Sequence, residues 1–222
     1  TYADPTEDGG VLFRVRNFIV SQGGYLEASG KGFGPTRGPG QGATYGGSGH
    51  GGRGGNSSWG NLGGPTYGRT NAPTLQGSGS AGAPGAEGGG YVRIEAIQKV
   101  IVDGTMRANG WGPHEIHYGG GSGGGMFIQC RSLEGAASGL IQANGGPGSY
   151  AGGGGGGGRI AVWYGKPVPA SLFNGIVTNQ PLAYTTYTDF SALTNFFGTN
   201  QASGNIGVGY SGTQPGGTGT VA

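Results

Sequence analysis

Residues 89–110 read GGYVRIEAIQKVIVDGTMRANG, and the same 22-residue pattern occurs twice more in the chain. Residues 9–30 read GGVLFRVRNFIVSQGGYLEASG, and residues 124–145 read GGMFIQCRSLEGAASGLIQANG. Each copy opens with an apolar, alternating run and closes on a small residue followed by glycine. A motif that returns after inserts of different length is typical of stacked structural units, which cannot bury an apolar face alone.

Each copy is predicted to hold three short strands. In the second copy these are residues 91–96, 100–102 and 105–108, with Asp103-Gly104 as the turn before the third strand. Three strands per copy predict an all-β fold, a parallel β-solenoid or β-helix-like stack. Its rungs are predicted at 9–30, 89–110, 124–145 and 157–164, the last being a partial copy, GGRIAVWY. A short turn of helix over 132–140 is a weaker alternative, since it contains two glycines.

The inserts between the copies are dominated by glycine, which supplies 59 of the 222 residues. Collagen is excluded because no Gly-X-Y period is sustained. Flexible glycine loops are one interpretation of the inserts. The favoured one is a layer of polyglycine II helices, which have three residues per turn and, without Cβ atoms, can exchange backbone hydrogen bonds side by side. The glycine run 152–158 would span about 22 Å, close to the length of a seven-residue strand.

Residues 1–165 are therefore predicted to form the glycine-rich repeat region. Residues 166–222 have less glycine at first and are predicted to be a β segment that continues the same domain. Within them, 176–179 resembles the close of a rung and 219–222 the opening of another. The C-terminal strand is also a candidate for exchange with a neighbouring copy.

The composition excludes several classes of protein. Twelve Lys and Arg against ten Asp and Glu give a net charge of +2, without the basic stripe that a nucleic-acid partner requires. No apolar run approaches the length of a membrane span. The single cysteine, Cys130, is predicted to be a buried small hydrophobe. Sparse cysteine favours an exported protein, and an N-terminal Thr1 indicates either a removed leader or an excised fragment, so the location is predicted to be the cell surface or outside the cell.

No residue is predicted to be catalytic, to bind a cofactor or to bind a metal. His114, Glu115 and His117 lie close in sequence, but a zinc site needs three or four ligands in defined geometry, so a surface loop is the simpler interpretation. The run 152–158 lacks the following helix of a phosphate-binding loop. A polysaccharide-active β-helix enzyme is an unfavoured alternative that would use carboxylates such as Glu95 or Asp103.

Aromatic residues border many of the glycines, and four of them are candidate contacts to a ligand or partner: Trp59, Trp111, Tyr118 and Tyr150. The simpler interpretation is that these rings cover the glycine layer. The alternative is that they stack on sugar rings or on a partner surface.

Residues 143–164, with ANGG followed by GGGGRIAVWY, resemble the glycine-rich repeats of large exported bacterial proteins. The glycine runs are also similar in kind to polyglycine-helix proteins, namely the distal adhesins of some tailed phages and the springtail antifreeze proteins. These resemblances imply extracellular binding or coating without catalysis. The chain departs from the polyglycine proteins because β-rich rungs alternate with its glycine runs.

The predicted function is that of an extracellular structural protein, a self-assembling subunit of a fibre, sheath or surface layer. The open ends of a solenoid expose unpaired strand groups that add to another copy, head to tail or by strand exchange. The residues predicted to take part are Val11, Phe13, Val15, Thr220 and Val221. The alternative is an adhesin or receptor-binding module that recognises surface glycans.

Overall fold

The structure is a computed structural model that describes residues 10–82, 84–165, 168, 199–202, 207–209, 214 and 216–222. The described residues form strands and no helix. In chain order the strands are β1 (Val11–Val15), β2 (Phe18–Val20), β3 (Tyr25–Glu27), β4 (Tyr91–Ala96), β5 (Lys99–Val102), β6 (Thr105–Arg107), β7 (Gly125–Gln129), β8 (Ser132–Glu134), β9 (Leu140–Gln142), β10 (Gly148–Tyr150), β11 (Arg159–Trp163), β12 (Thr199–Gln201), β13 (Gly207–Gly209) and β14 (Thr220–Val221).

Each of the three full copies contributes one strand to each of three sheets. The sheets have the strand orders β1-β4-β7-β11-β14, β12-β9-β6-β3 and β2-β5-β8, and a small fourth sheet joins β10 to β13. All of these pairings are parallel. The prediction of an all-β fold with parallel strands is confirmed. A closed solenoid stays a prediction, because the strands lie in four separate sheets.

One apolar core is shared by the three larger sheets. Alternation along each strand turns every second side chain toward it. The core takes Val92, Ile94, Met126 and Ile128 from the first sheet, Val100, Val102 and Leu133 from the β2-β5-β8 sheet, and Met106 and Ile141 from the β12-β9-β6-β3 sheet. Cys130 is buried in the same core, as predicted, and burial raises the pKa of its thiol to about 12.

The first strand of the second copy is shifted by one residue relative to the opening glycines that the copies share. Val11 pairs with Val92, and not with Tyr91, which follows the glycine pair in sequence. The pairing keeps the valines on the core side, while Tyr91 packs with Phe127 and Ala161 on the opposite face of the sheet. A slip of one residue would exchange the two faces, so burial sets the register.

The predicted turn at Asp103-Gly104 is confirmed, because it separates β5 from β6. The helical turn considered over 132–140 is wrong. That segment contains β8 and the start of β9, because Leu133 is needed in the core, where its strand pairs with β5.

The C-terminal part supplies two strands that extend the sheets. The strand β12 pairs with β9, and Thr199 to Ala202 thus take the closing place predicted for 176–179, which lie outside the described residues. The strand β14 pairs with β11, as expected for the opening of another unit. It adds to the sheet of its own chain here, and its exchange with a neighbouring copy stays a prediction.

The glycine runs form a layer held by backbone hydrogen bonds. Along 152–158 the acceptors repeat every third residue: Gly153 and Gly156 donate to the oxygens of Tyr45 and Ser48, Gly154 and Gly157 to Gln214 and Gly217, and Gly155 and Gly158 to Gly146 and Ala143. Each set of bonds therefore points to a different neighbouring run. Three residues per turn is the period of a polyproline II-type helix.

Candidate functional site

Five aromatic side chains meet where the glycine runs turn, and we call this group the tip cluster: Tyr45, Trp59, His117, Tyr118 and Tyr150. All three inserts contribute to it. Its turns are closed by short backbone bonds, from Gly46 N to Ala43 O (2.7 Å), from Gly60 N to Ser57 O (3.0 Å) and from Gly152 N to Ser149 O (2.8 Å).

Further backbone bonds fix these turns to one another. Gly153 N donates to Tyr45 O at 2.9 Å, and Ser149 N donates to Tyr118 O at 3.0 Å. Ser58 N, next to Trp59, donates to Ala151 O at 2.9 Å. The tip cluster is thus positioned by main chain, and its rings are carried on an ordered support.

The rings of the tip cluster form a continuous chain of contacts. Tyr45 lies edge-on to Trp59, with centroids 4.8 Å apart, and is 5.8 Å from Tyr118. His117 lies between Trp59 (5.1 Å) and Tyr150 (4.7 Å, perpendicular). Trp59 is 50% exposed and Tyr150 is 42% exposed, so a ring remains open to solvent on each side of His117.

Three members of the tip cluster have left-handed backbone conformations. The φ angles are 70° at Tyr45, 80° at His117 and 50° at Tyr150, and Thr36 is the other non-glycine residue with positive φ in the described chain. Residues with a Cβ avoid this region at a cost of about 1–2 kcal/mol each. Comparable positions in this chain, such as Gly60 and Gly68, carry glycine.

Polar groups surround the tip cluster. The turn that carries Trp59 is held by Ser57 Oγ, which accepts from Asn61 N and Asn61 Nδ2, each at 3.1 Å. Within the described residues, the buried atoms Ser58 Oγ and His117 Nδ1 have no hydrogen-bond partner. Ser57 is only 2% exposed, so these polar groups hold the turn from within the protein and are not presented to solvent.

Of the four aromatic residues predicted to contact a ligand, the structure brings Trp59, Tyr118 and Tyr150 together. Trp111 lies apart: its ring covers Gly30, where an added Cβ would lie 2.5 Å from it, and its centroid is 6.5 Å from His114. The ring of Tyr118 covers Gly82 in the same way, at 2.3 Å. The simpler interpretation, that these rings cover glycines, therefore applies to Trp111 and to part of the surface of Tyr118.

Sequence reasoning did not select Tyr45 or His117 as contact residues. The usable signal was an aromatic residue within a few positions of a glycine pair, which Tyr45 and Tyr150 share with Tyr118. What the sequence did not reveal is that turns from three separate inserts converge.

The three histidines lie in different surroundings. His114 pairs with Glu87, with Nε2 3.1 Å from each carboxylate oxygen, while His117 belongs to the tip cluster and His50 is buried. Among the described residues no group of three or more metal-ligating side chains occurs.

His50 belongs to a buried polar cluster between the glycine layer and the five-stranded sheet. Its Nδ1 donates to Gly123 O at 2.8 Å, and its ring stacks on Tyr67 at 4.6 Å. Arg159, on β11, donates from Nε to Tyr67 O at 2.8 Å. Burial lowers the pKa of His50 to about 4, lowers that of Arg159 and raises that of Tyr67. His50 and Arg159 are buried, Tyr67 is partly exposed, and the cluster joins the two layers.

The carboxylates considered for catalysis lie on different elements. Glu95 is buried on β4, with one oxygen 2.7 Å from Arg14 Nε and the other 2.7 Å from Arg93 Nη2. Asp103 lies in the turn after β5, where Oδ1 accepts from Ala136 N at 2.8 Å. Both carboxylates thus have structural partners.

The residues predicted to act in self-assembly lie on the two outer strands of one sheet. Val11, Phe13 and Val15 are on β1, and Thr220 and Val221 are on β14, at the opposite edge.

No helix that could cross a membrane occurs in the described part of the chain.

Comparisons with protein-family models, with curated proteins and with solved structures found no significant match to this chain. The resemblance to exported glycine-rich repeat proteins stays a prediction.

Proposed function

We propose that this protein is an extracellular structural subunit that assembles head to tail with copies of itself. In this account its three sheets are the faces of a parallel solenoid, and the glycine runs are polyglycine II helices laid against it. The joint between copies forms where β14 of one copy meets β1 of the next.

The observation that carries this proposal is one ladder of side chains across the five-stranded sheet. Val11, Val92, Met126, Ile160 and Val221 occupy successive positions in register. The three inner members are fully buried, whereas Val11 is 44% exposed and Val221 is 51% exposed. The two exposed ends of the ladder are apolar and β-branched, and they complement each other.

Continuing the register places Val221 of one copy beside Val11 of the next. Every strand pairing in the sheet is parallel, so the added pairing has the geometry of those already present. The two joined edges belong to opposite ends of the sheet, and a contact between different surfaces that does not close gives a filament. A place outside the cell is supported by the resemblance of residues 143–164 to exported glycine-rich repeat proteins.

Negative-stain electron microscopy with size-exclusion chromatography tests the proposal. We expect filaments or sheets from the parent chain and dispersed monomers from Val221→Lys or Val11→Lys, because each lysine would bury a charge at the joint. Leu62→Lys is the matched control, since Leu62 is 62% exposed on the glycine layer, away from both edges. A parent chain that stays monomeric at high concentration contradicts the proposal.

A further inference from the structure

We infer that the tip cluster is a binding site for a short, uncharged oligosaccharide. The inference goes beyond self-assembly and does not depend on it, because the tip cluster lies at the turns of the glycine layer and not on the edge strands of the sheet.

The strained backbone of the tip cluster indicates a binding role. Glycine fills most left-handed positions of the described residues, yet Tyr45, His117 and Tyr150 hold bulky side chains there. Strain of about 1–3 kcal/mol at each such residue persists where the side chain is required, and such residues gather at binding sites. A role limited to folding would be served better by glycine, which adopts these angles without cost.

The exposed rings of the tip cluster provide stacking faces for a ligand. Trp59 and Tyr150 lie on either side of His117, and each is about half exposed. Because the rings of the cluster are in contact with one another, a ligand has no room between them and must stack on their outer faces. Two separate faces fit two sugar rings of one short chain better than a single small molecule.

The chemistry of the surface selects the ligand. None of the five side chains is a carboxylate, lysine or arginine, so neither an acidic nor a basic partner finds an opposite charge in the cluster. A pyranose ring has apolar C–H faces that pack on aromatic rings and hydroxyl groups at its rim. The serine and asparagine side chains at the turn of Trp59 are bonded within the protein, so the stacking faces of the exposed rings are what recognises the sugar.

A printed array of neutral and acidic oligosaccharides, probed with the whole chain, tests the inference. The neutral oligosaccharide with the strongest signal is then titrated by calorimetry into the parent chain and three variants. We expect Trp59→Ala and Tyr150→Gly to weaken binding about tenfold or more, and Trp111→Ala, which removes an exposed tryptophan outside the cluster, to change it less than twofold.

Tyr150→Gly protects the test against misfolding, because glycine relieves the φ of 50° at that position. Circular dichroism of each variant confirms that it is folded. Val221→Lys should retain the parent affinity, which separates this inference from the assembly proposal. Three results would each overturn the inference. They are no binding of the parent chain to any neutral glycan, parent-like affinity of the Trp59→Ala and Tyr150→Gly variants, and a change of oligomeric state on Trp59→Ala.

Discussion

At the scale of single residues, the chain uses glycine and aromatic side chains for opposite purposes. Glycine allows close approach of backbone: a Cβ on Gly153 would lie 1.9 Å from Gly55 O. The aromatic residues at the tips instead accept an unfavourable backbone conformation. Sequence alone predicted the first property from composition, but a positive φ at a tyrosine leaves no trace in composition.

His50 makes stability depend on pH in a defined direction. In the folded chain its pKa is lowered from the ordinary value of 6.5 to about 4, chiefly by burial, with Arg159 acting in the same direction. The unfolded chain therefore binds a proton at a higher pH than the folded chain, and stability is lost as pH falls from about 6.5 toward 4. We expect a loss of about 3 kcal/mol over this window, measured by urea unfolding at several pH values.

The control for this prediction is His50→Asn, whose side-chain amide can still donate to Gly123 O but does not titrate. This variant should lose most of the pH dependence between 6.5 and 5, even if it is less stable throughout. An unchanged slope in His50→Asn would assign the acid sensitivity to other groups.

At the scale of elements, the three-residue period of the glycine runs makes individual glycines irreplaceable. A Cβ on Gly155 would lie 2.0 Å from Gly121 O, which is main chain and cannot move aside. We expect Gly155→Ala to lower the free energy of unfolding by about 3 kcal/mol or more, as determined by urea titration.

Gly112→Ala is the matched comparison within the inserts. Its Cβ would lie 3.1 Å from Pro147 Cγ and 3.3 Å from Pro147 O, a tight contact without the overlap seen at Gly155, and its φ is not in the left-handed region. This change should cost less than about 1 kcal/mol. Equal losses for the two alanines would mean that the glycine runs are not packed as described.

The strands of the repeats were predictable because their signals are local. Apolar alternation located β4, and the Asp103-Gly104 turn separated β5 from β6. The register of β1 on β4 was not predictable from local signals, because it depends on which side chains the core buries. For the closing strand β12, the local signal was Gln201-Ala202-Ser203-Gly204, which repeats the small-residue close of the earlier copies.

For the candidate site, the sequence indicated which residue types matter but not how they gather. Three of the four aromatic residues predicted as contacts lie in the tip cluster, and Trp111 covers Gly30 instead. The convergence of Tyr45, Trp59, His117 and Tyr150 depends on hydrogen bonds between inserts that are far apart in the chain. Such pairings have no local sequence signal.

At the scale of the whole molecule, head-to-tail assembly depends on the joint between copies. Val11 and Val221 lie on the outer strands of a five-stranded sheet, so within one chain they are separated by about 19 Å. A disulfide requires Cα atoms within about 7 Å, so cysteines at these two positions can link only different copies. Cys130 is buried in the core and does not compete.

The most direct measurement is oxidation of the double variant Val11→Cys/Val221→Cys, followed by non-reducing gel electrophoresis. Head-to-tail assembly through β1 and β14 predicts a ladder of covalent oligomers that disappears on reduction. The comparison variant Val11→Cys/Ile116→Cys, with its second cysteine at an exposed position in an insert, should give no ladder. Monomers alone from the Val11/Val221 pair, or equal ladders from both pairs, would contradict head-to-tail assembly through β1 and β14.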